Sequence, residues 1–128
     1  MKRSITLGLA LLTGIAIGAT AISQLSAQTK TPAAYWVTET LEMTDQAAFT
    51  KAIPSVMPTV QKFGGRYIVL GGKIAADMGS APKRITIIAF DSMEKAQQWL
   101  SDPAAVAARA EVNKYAKTRA YAVEGNPN

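Results

Sequence analysis

Glu39 is the residue of this sequence with the clearest catalytic potential. The chain of 128 residues contains no histidine and no cysteine. This excludes imidazole bases, Ser-His-Asp triads, thiolate nucleophiles, disulfides and iron–sulfur sites. Any catalysis would therefore depend on carboxylates, arginines, lysines, tyrosines, hydroxyl groups or the backbone.

The environment of Glu39 decides between two interpretations of this carboxylate. It lies among apolar neighbours within a segment, 34–41, that is rich in aromatic and β-branched residues. A buried carboxylate has a raised pKa and can act as a general acid or base, which makes Glu39 our candidate catalytic residue. The alternative, which we favour, is a salt bridge with an arginine of a neighbouring strand: Arg66, Arg84 or Arg119.

Arg66, Tyr35, Tyr67 and Tyr121 are predicted as ligand-binding residues. Arg66 follows two glycines and could hold an anion through its planar fork of donors, although an exposed arginine paired with a carboxylate is the alternative. The three tyrosines could line an apolar pocket with polar tips. Aromatic side chains on strands also serve as core or dimer contacts, so their role stays open at this point.

Metals, cofactors and nucleic acids are not predicted as partners. Asp77 and its surroundings supply too few oxygens for calcium, and Gly71-Gly72 lacks the paired Lys and Ser/Thr that end a phosphate-binding loop. The net charge is +5, but the basic residues are scattered among acids. Only residues 114–119 form a basic concentration, which lacks interleaved aromatics and is typical of a solvated helix end.

The elements that must position these residues follow the order strand, helix, strand, strand, helix, strand. Strands are predicted at 34–41, 66–70, 84–90 and 119–124, and helices at 46–63 and from 92 to about 117. Pro54 and Pro58 should break the first helix, and Pro103 should divide the second. In the second helix, the residues predicted to face inward are Ala96, Trp99, Leu100, Val106, Ala107, Ala110 and Tyr115.

This order predicts a ferredoxin-like α+β domain with a four-stranded antiparallel sheet. Right-handed crossovers place both helices on one face of the sheet. The other face needs cover, and the chain is too short for a third layer. We therefore expect a two-fold homodimer joined sheet to sheet.

The N-terminus is typical of a secretory signal peptide. Lys2 and Arg3 precede a long apolar segment that is followed by small residues, so we expect a signal peptide at 1–27, with Ala21 and Ser23 as alternative cleavage ends to Ala27. An uncleaved membrane anchor is the alternative. We then expect a flexible join at 28–33, the ferredoxin-like domain at 34–125, a tail at 126–128, and an exported, periplasmic or extracellular protein.

Several short motifs together resemble the domain-of-unknown-function family numbered 1330. They are Gly64-Gly65-Arg66-Tyr67, Gly71-Gly72, the strand 84–90, Ser92-Met-Glu-Lys-Ala96 with Trp99, and Val123-Glu124-Gly125. The resemblance implies a dimeric α+β barrel, in the superfamily that includes antibiotic-biosynthesis-type monooxygenases, and it implies no activity. The chain departs from the family pattern at Ala89, where members often carry Glu, and at Leu100 and Ala105, where members often carry Tyr.

Three functions are compatible with this sequence. The leading hypothesis is an exported homodimer that binds a small apolar or aromatic molecule. The second is a cofactor-independent monooxygenase-like or isomerase-like enzyme that uses Glu39 or a tyrosine together with Arg66. The third is a structural module that only self-associates, and fold class alone does not choose among them.

Overall fold

The computed structural model describes residues 31–127. The predicted signal peptide at 1–27 lies outside the described residues. Its cleavage site and the first part of the predicted join lie outside them as well.

The described chain folds into four strands and four α-helices. They are β1 (Ala34–Met43), α1 (Gln46–Ala52), a 3₁₀ turn (Ile53–Ser55), α2 (Met57–Lys62), β2 (Arg66–Leu70), β3 (Arg84–Phe90), α3 (Met93–Ser101), α4 (Pro103–Asn113) and β4 (Ala116–Glu124). Strands β2 and β3 have the predicted bounds. Strands β1 and β4 are longer than predicted, because their ladder continues through Met43 opposite Ala116 after a register shift.

The strands form one antiparallel sheet in the order β2-β3-β1-β4. Trp36 in the middle of β1 lies opposite Ile88 of β3 and Ala122 of β4. This order, with a helical segment after the first and third strands, is the ferredoxin-like arrangement. The predicted fold class is confirmed.

Helix boundaries follow capping residues and prolines. Asp45 accepts a hydrogen bond from the Ala48 N–H (3.0 Å), and Ser92 accepts one from the Lys95 N–H (3.2 Å). Asp102 caps α4 by accepting from the Ala105 N–H (3.1 Å), with a proline at the first helical position. The prolines at 54 and 58 each open a new helical segment, so the predicted division of the first helix is confirmed.

The core lies between the helices and one face of the sheet, and Trp99 is at its centre. Its side chain is fully buried, as predicted, and meets the Trp36 ring edge to face at 5.0 Å between centroids. The Trp99 indole N–H donates to the Thr59 hydroxyl (3.0 Å), which itself donates to the Val56 carbonyl (2.6 Å). Each polar atom of this buried group therefore has a partner, as a dry core requires.

The inward face of α4 differs from the prediction. Ala105 is fully buried, and Ala108 and Val112 pack against the core, whereas Val106 is 45% exposed and Ala107 and Ala110 are exposed. The prediction for Val106, Ala107 and Ala110 is wrong. The reason is that this helix is alanine-rich on nearly all sides, so its apolar periodicity does not fix which side faces the sheet.

The two faces of the sheet have different surroundings. The covered face carries Trp36, Thr38 and Thr40 of β1, and every described α-helix contributes a buried side chain to the layer packed against it. The open face carries Val37 and Glu39 with their strand neighbours. Among residues 31–127, no helix is long and apolar enough to cross a membrane.

Candidate functional site

A cavity of about 260 Å³ lies between the covered face and the helices. Aliphatic and aromatic side chains dominate its wall, with a smaller number of hydroxyl, amide and guanidinium groups. The lining residues are Trp36, Thr38, Thr40, Phe49, Ile53, Val56, Tyr67, Leu70, Thr86, Ile88, Leu100, Arg109, Val112, Asn113, Thr118, Ala120 and Tyr121. A mainly apolar wall with a few polar groups is the usual composition of a small-molecule site.

Threonines bring hydroxyl groups into this cavity from the sheet. Thr38 and Thr86 are opposite each other on β1 and β3, and Thr40 and Thr118 are opposite each other on β1 and β4. The Thr118 hydroxyl donates to the Asn113 side-chain carbonyl (3.2 Å). Threonine favours pleated strands, so the same residues that build the sheet provide donors and acceptors for a guest molecule.

Arg109 brings a positive charge to the cavity from α4. Its guanidinium lies over the Trp99 ring, with 4.4 Å between Cζ and the ring centroid, and its Nη2 donates to the Leu100 carbonyl (2.8 Å). Nη1 is buried and has no hydrogen-bond partner among residues 31–127. Burial lowers the pKa of Arg109, although a guanidinium remains charged at neutral pH.

Tyr67 is the predicted ligand-binding residue whose position fits a pocket role best. It lies on β2 opposite Ile88, on the covered face, and it lines the cavity. Burial raises the pKa of its hydroxyl. The group is therefore protonated at neutral pH and can donate a hydrogen bond.

Glu39 and Tyr121 meet on the open face. Glu39 accepts two hydrogen bonds from Arg119, from Nε (2.9 Å) and Nη2 (3.0 Å), and one from the Tyr121 hydroxyl (3.0 Å). The Arg119 hydrogen bonds, followed by that of Tyr121, hold the pKa of Glu39 below its ordinary value of 4.5. The carboxylate is thus an ionised partner in a salt bridge, and it does not line the cavity, although Tyr121 borders it.

Arg66 and Tyr35 are placed away from the cavity. Arg66 begins β2, where its exposed side chain lies 3.5 Å from Asp91. Tyr35 lies opposite Ala89 and Val123, and its ring packs against Gly125, where a Cβ would come within 2.8 Å of it. Of the predicted residues, Tyr67 and Tyr121 therefore line the cavity, although the Tyr121 hydroxyl is engaged with Glu39 on the open face. Glu39, Arg66 and Tyr35 do not line it. The roles of these residues in binding stay predictions.

Arg109 lines the cavity, but it was not predicted from the sequence as a binding residue. It lies four positions after Ala105 and three before Val112, so all three share one side of α4. A charged residue within the inward stripe of a helix is the signal that could have identified it. That signal becomes visible only once the correct side of this alanine-rich helix is known.

Metal ligands are not clustered in the described part of the chain. Residues 31–127 contain no group of three or more histidine, cysteine, aspartate or glutamate side chains arranged to hold an ion.

The structure also shows where the three residues that depart from the family pattern lie. Leu100 lines the cavity, whereas Ala105 and Ala89 are buried in the packed structure.

Comparison by sequence gives one family. The sequence model of the family described as "Domain of unknown function (DUF1330)" matches residues 33–126. Among curated proteins, no significant sequence match is found.

Comparison by structure gives several similar folds. The methylated RPA0582 protein has a TM-score of 0.61 at 12% identity, covering 83% of this chain and 90% of that one. A second structure describes RPA0582 as a protein of unknown function from Rhodopseudomonas palustris. SnoaB, a cofactor-independent oxygenase from Streptomyces nogalater, has a TM-score of 0.57 at 9% identity, covering 76% and 96%. A hypothetical protein from Arabidopsis thaliana has a TM-score of 0.56 at 12% identity, covering 78% and 91%. At such low identities these similarities show the fold alone.

Proposed function

The chain belongs to the DUF1330 family, whose description names no activity, and from this premise we propose that it binds a small, largely apolar or aromatic molecule in the cavity between sheet and helices. The observation that carries the proposal is the cavity itself. Well-packed cores contain few voids larger than a water molecule. This space of about 260 Å³ is partly open to solvent rather than a sealed void, so a guest molecule can enter it.

The size and the wall of the cavity define the guest. An empty apolar cavity of about 150 Å³ can hold a benzene molecule, and drug-sized ligands occupy roughly 300–1,000 Å³. This cavity lies between the two, which suits one aromatic ring with a short substituent. The rings of Trp36 and Phe49 and the side chains of Ile53 and Val112 would surround the apolar part.

The oxygenase function of SnoaB belongs to that protein and is not our proposal for this chain. Among residues 31–127, no aspartate or glutamate lines the cavity. Glu39, the predicted general acid or base, is engaged with Arg119 on the other face. Binding therefore has direct support from the cavity, whereas turnover has none.

The binding proposal is tested by filling the cavity. Val112→Phe adds an aromatic ring to the cavity wall, and Val106→Phe adds the same ring at an exposed position of the same helix. A panel of single-ring aromatic compounds should raise the Tm of the wild type and of Val106→Phe. The Val112→Phe variant should lose that response. If no compound raises the Tm of the wild type, or if both variants respond equally, the cavity is not a binding site.

We also propose that the protein acts as a homodimer through the open face. Tyr35, Val37, Ile85, Ile87 and Val123 give this face an apolar surface. Among them Val123 is 50% exposed. A contiguous apolar sheet face is costly to leave in water, and a second copy can cover it with two-fold symmetry.

Sedimentation of the purified chain tests the dimer. Val37→Lys would place a charge in the middle of the open face and should convert a dimer into a monomer. Val106→Lys, on the exposed side of α4, should leave the dimer intact. A wild type that sediments as a monomer at micromolar concentration would contradict the proposal.

Export remains part of the proposal and rests on the sequence of residues 1–27. The expected outcome is recovery of the chain outside the cytoplasm, with a new N-terminus after Ala21, Ser23 or Ala27. N-terminal sequencing of the recovered protein makes this measurement. Recovery of a cytoplasmic chain that still begins at Met1 would rule export out.

A further inference from the structure

Arg109 is a cation for which the described chain provides no anion. Five salt bridges connect residues within 31–127, and none of them involves Arg109. One of its nitrogens, Nη1, is buried without a hydrogen-bond partner. A buried donor that lacks an acceptor is costly, and a partly buried charge that lacks a counter-ion is more so.

The guanidinium is also held firmly in place. The Trp99 ring supports one side of it, and that ring is itself fixed by full burial and by the hydrogen bond to Thr59. Nη2 is occupied by the Leu100 carbonyl near the end of α3. A side chain fixed in this way loses little further freedom when it binds a ligand, which favours affinity.

We infer that the ligand of the cavity carries a carboxylate, which the Arg109 guanidinium binds while the apolar part of the ligand lies against the aromatic wall. This inference rests on the proposed binding function and names the class of ligand: a small aromatic or aliphatic monocarboxylate. The Tyr67 hydroxyl and the threonine hydroxyls of the sheet line the same cavity. They can donate hydrogen bonds to the second carboxylate oxygen.

A carboxylate fits the site better than a phosphate group. One guanidinium balances the single negative charge of a carboxylate, and its donors that are not engaged with Leu100 can bind one of the two oxygens. A phosphate carries more charge and would need more cations, but Arg109 is the only charged residue that lines the cavity in the described part of the chain. Arg84 also has a buried nitrogen without a partner, Nε, but it lies outside the cavity wall.

Matched acid and amide probes test the inference on the purified full chain. Benzoate, phenylacetate and 3-phenylpropanoate are each compared with the corresponding amide, which has nearly the same shape and no charge, by calorimetry and thermal shift at neutral pH. A charge-assisted hydrogen bond contributes about 1.5–3 kcal/mol, so at least one acid should bind about 10- to 100-fold more tightly than its amide. Acids and amides that bind equally would overturn the inference but leave the binding proposal intact. No binding by any probe would overturn both.

Variants of Arg109 then test whether its positive charge causes the preference for acids over amides. Arg109→Met keeps much of the packing over Trp99 and should abolish the preference for the acid, leaving amide binding unchanged. Lys95→Met removes one exposed positive charge from α3 and should preserve the preference. If Arg109→Met does not fold, Arg109→Lys provides the test, because it retains the charge but loses the planar guanidinium that lies over Trp99, and it should reduce the preference without removing it. An unchanged preference in Arg109→Met, or in Arg109→Lys when that variant is the test, would contradict the assignment.

Discussion

The two sides of the sheet treat an arginine in opposite ways. On the open face, Arg119 donates two hydrogen bonds to Glu39, and Tyr121 completes the group with a third. On the covered side, Arg109 has one carbonyl and one aromatic ring as partners, and a buried nitrogen has none. The open face therefore satisfies its own charges, whereas the covered side has a space and a charge that a ligand can fill. The two arginines therefore differ in whether the described chain supplies a counter-ion, and the proposed binding role of Arg109 depends on that difference.

Glu39, the candidate catalytic residue, belongs to the charge-balanced group of the open face. Glu39 was predicted either as a buried acid or base or as a salt-bridge partner. Its contacts with Arg119 and Tyr121 lower its pKa, whereas general acid chemistry near neutral pH needs a raised one. The carboxylate therefore acts as a salt-bridge partner within the sheet.

The largest expected effect on the free energy of unfolding comes from removing the Trp99 side chain from the core. Trp99→Ala should destabilise the fold by about 3–5 kcal/mol, because it empties the centre of the core and removes the Trp99 contacts of the Thr59 hydroxyl and the Arg109 guanidinium. Denaturant unfolding measures the change.

Val123→Ala provides the matched test on the open face. This side chain is 50% exposed, so at a protein concentration low enough to give monomers its loss should cost no more than about 1 kcal/mol. Equal losses for the two substitutions would contradict the assignment of the core to one face.

A smaller effect is expected where the backbone approaches the core. Gly65 has no space for a side chain, since a Cβ would lie 2.7 Å from Val60 Cγ1 and 2.8 Å from Phe90 Cε1. Gly65→Ala should therefore cost about 1–3 kcal/mol through overpacking, as measured by denaturant unfolding.

The neighbouring loop offers the control for Gly65. A Cβ on Gly72 would meet no atom within 4 Å, so Gly72→Ala should be neutral or slightly stabilising by restricting the unfolded chain. Equal destabilisation by Gly65→Ala and Gly72→Ala would contradict the prediction of overpacking at Gly65. In that case the close packing around Phe90 would not be the cause.

The sequence predicted the elements of this fold well because local signals define them. The strand at 66–70 lies between two glycine pairs, and the strand at 84–90 is dense in β-branched residues and follows Pro82. The helix starts have capping residues. The inward side of α4 was mispredicted, because Ala104, Ala105, Ala107, Ala108 and Ala110 give the helix no clear polar side. Arg109 was passed over for the same reason.

Strand register limited the prediction of the site more than strand identity did. Three arginines were alternatives for Glu39, and only the register of β1 with β4, which places Glu39 opposite Arg119, selects one of them. Register depends on which residues face the core across the whole sheet and on irregularities such as the shift between Thr40 and Glu42. Tyr67 and Arg66, neighbours in sequence, are placed on opposite faces by the same rule.

The smallest expected effect concerns the satisfied group of the open face and its response to pH. Because the pKa of Glu39 is lowered in the folded protein, its contribution to stability is complete above the ordinary value of 4.5 and is lost as the pH falls through the folded pKa. The Tm difference between the wild type and Glu39→Gln should therefore be largest at neutral pH and should shrink below pH 4.5. Glu42→Gln changes an exposed carboxylate on the same strand whose contact with Lys117 is longer, at 3.4 Å, and should alter the Tm little at either pH. A Tm difference for Glu39→Gln that is independent of pH, measured at constant protein concentration, would mean that the open face does not balance its charges through Glu39.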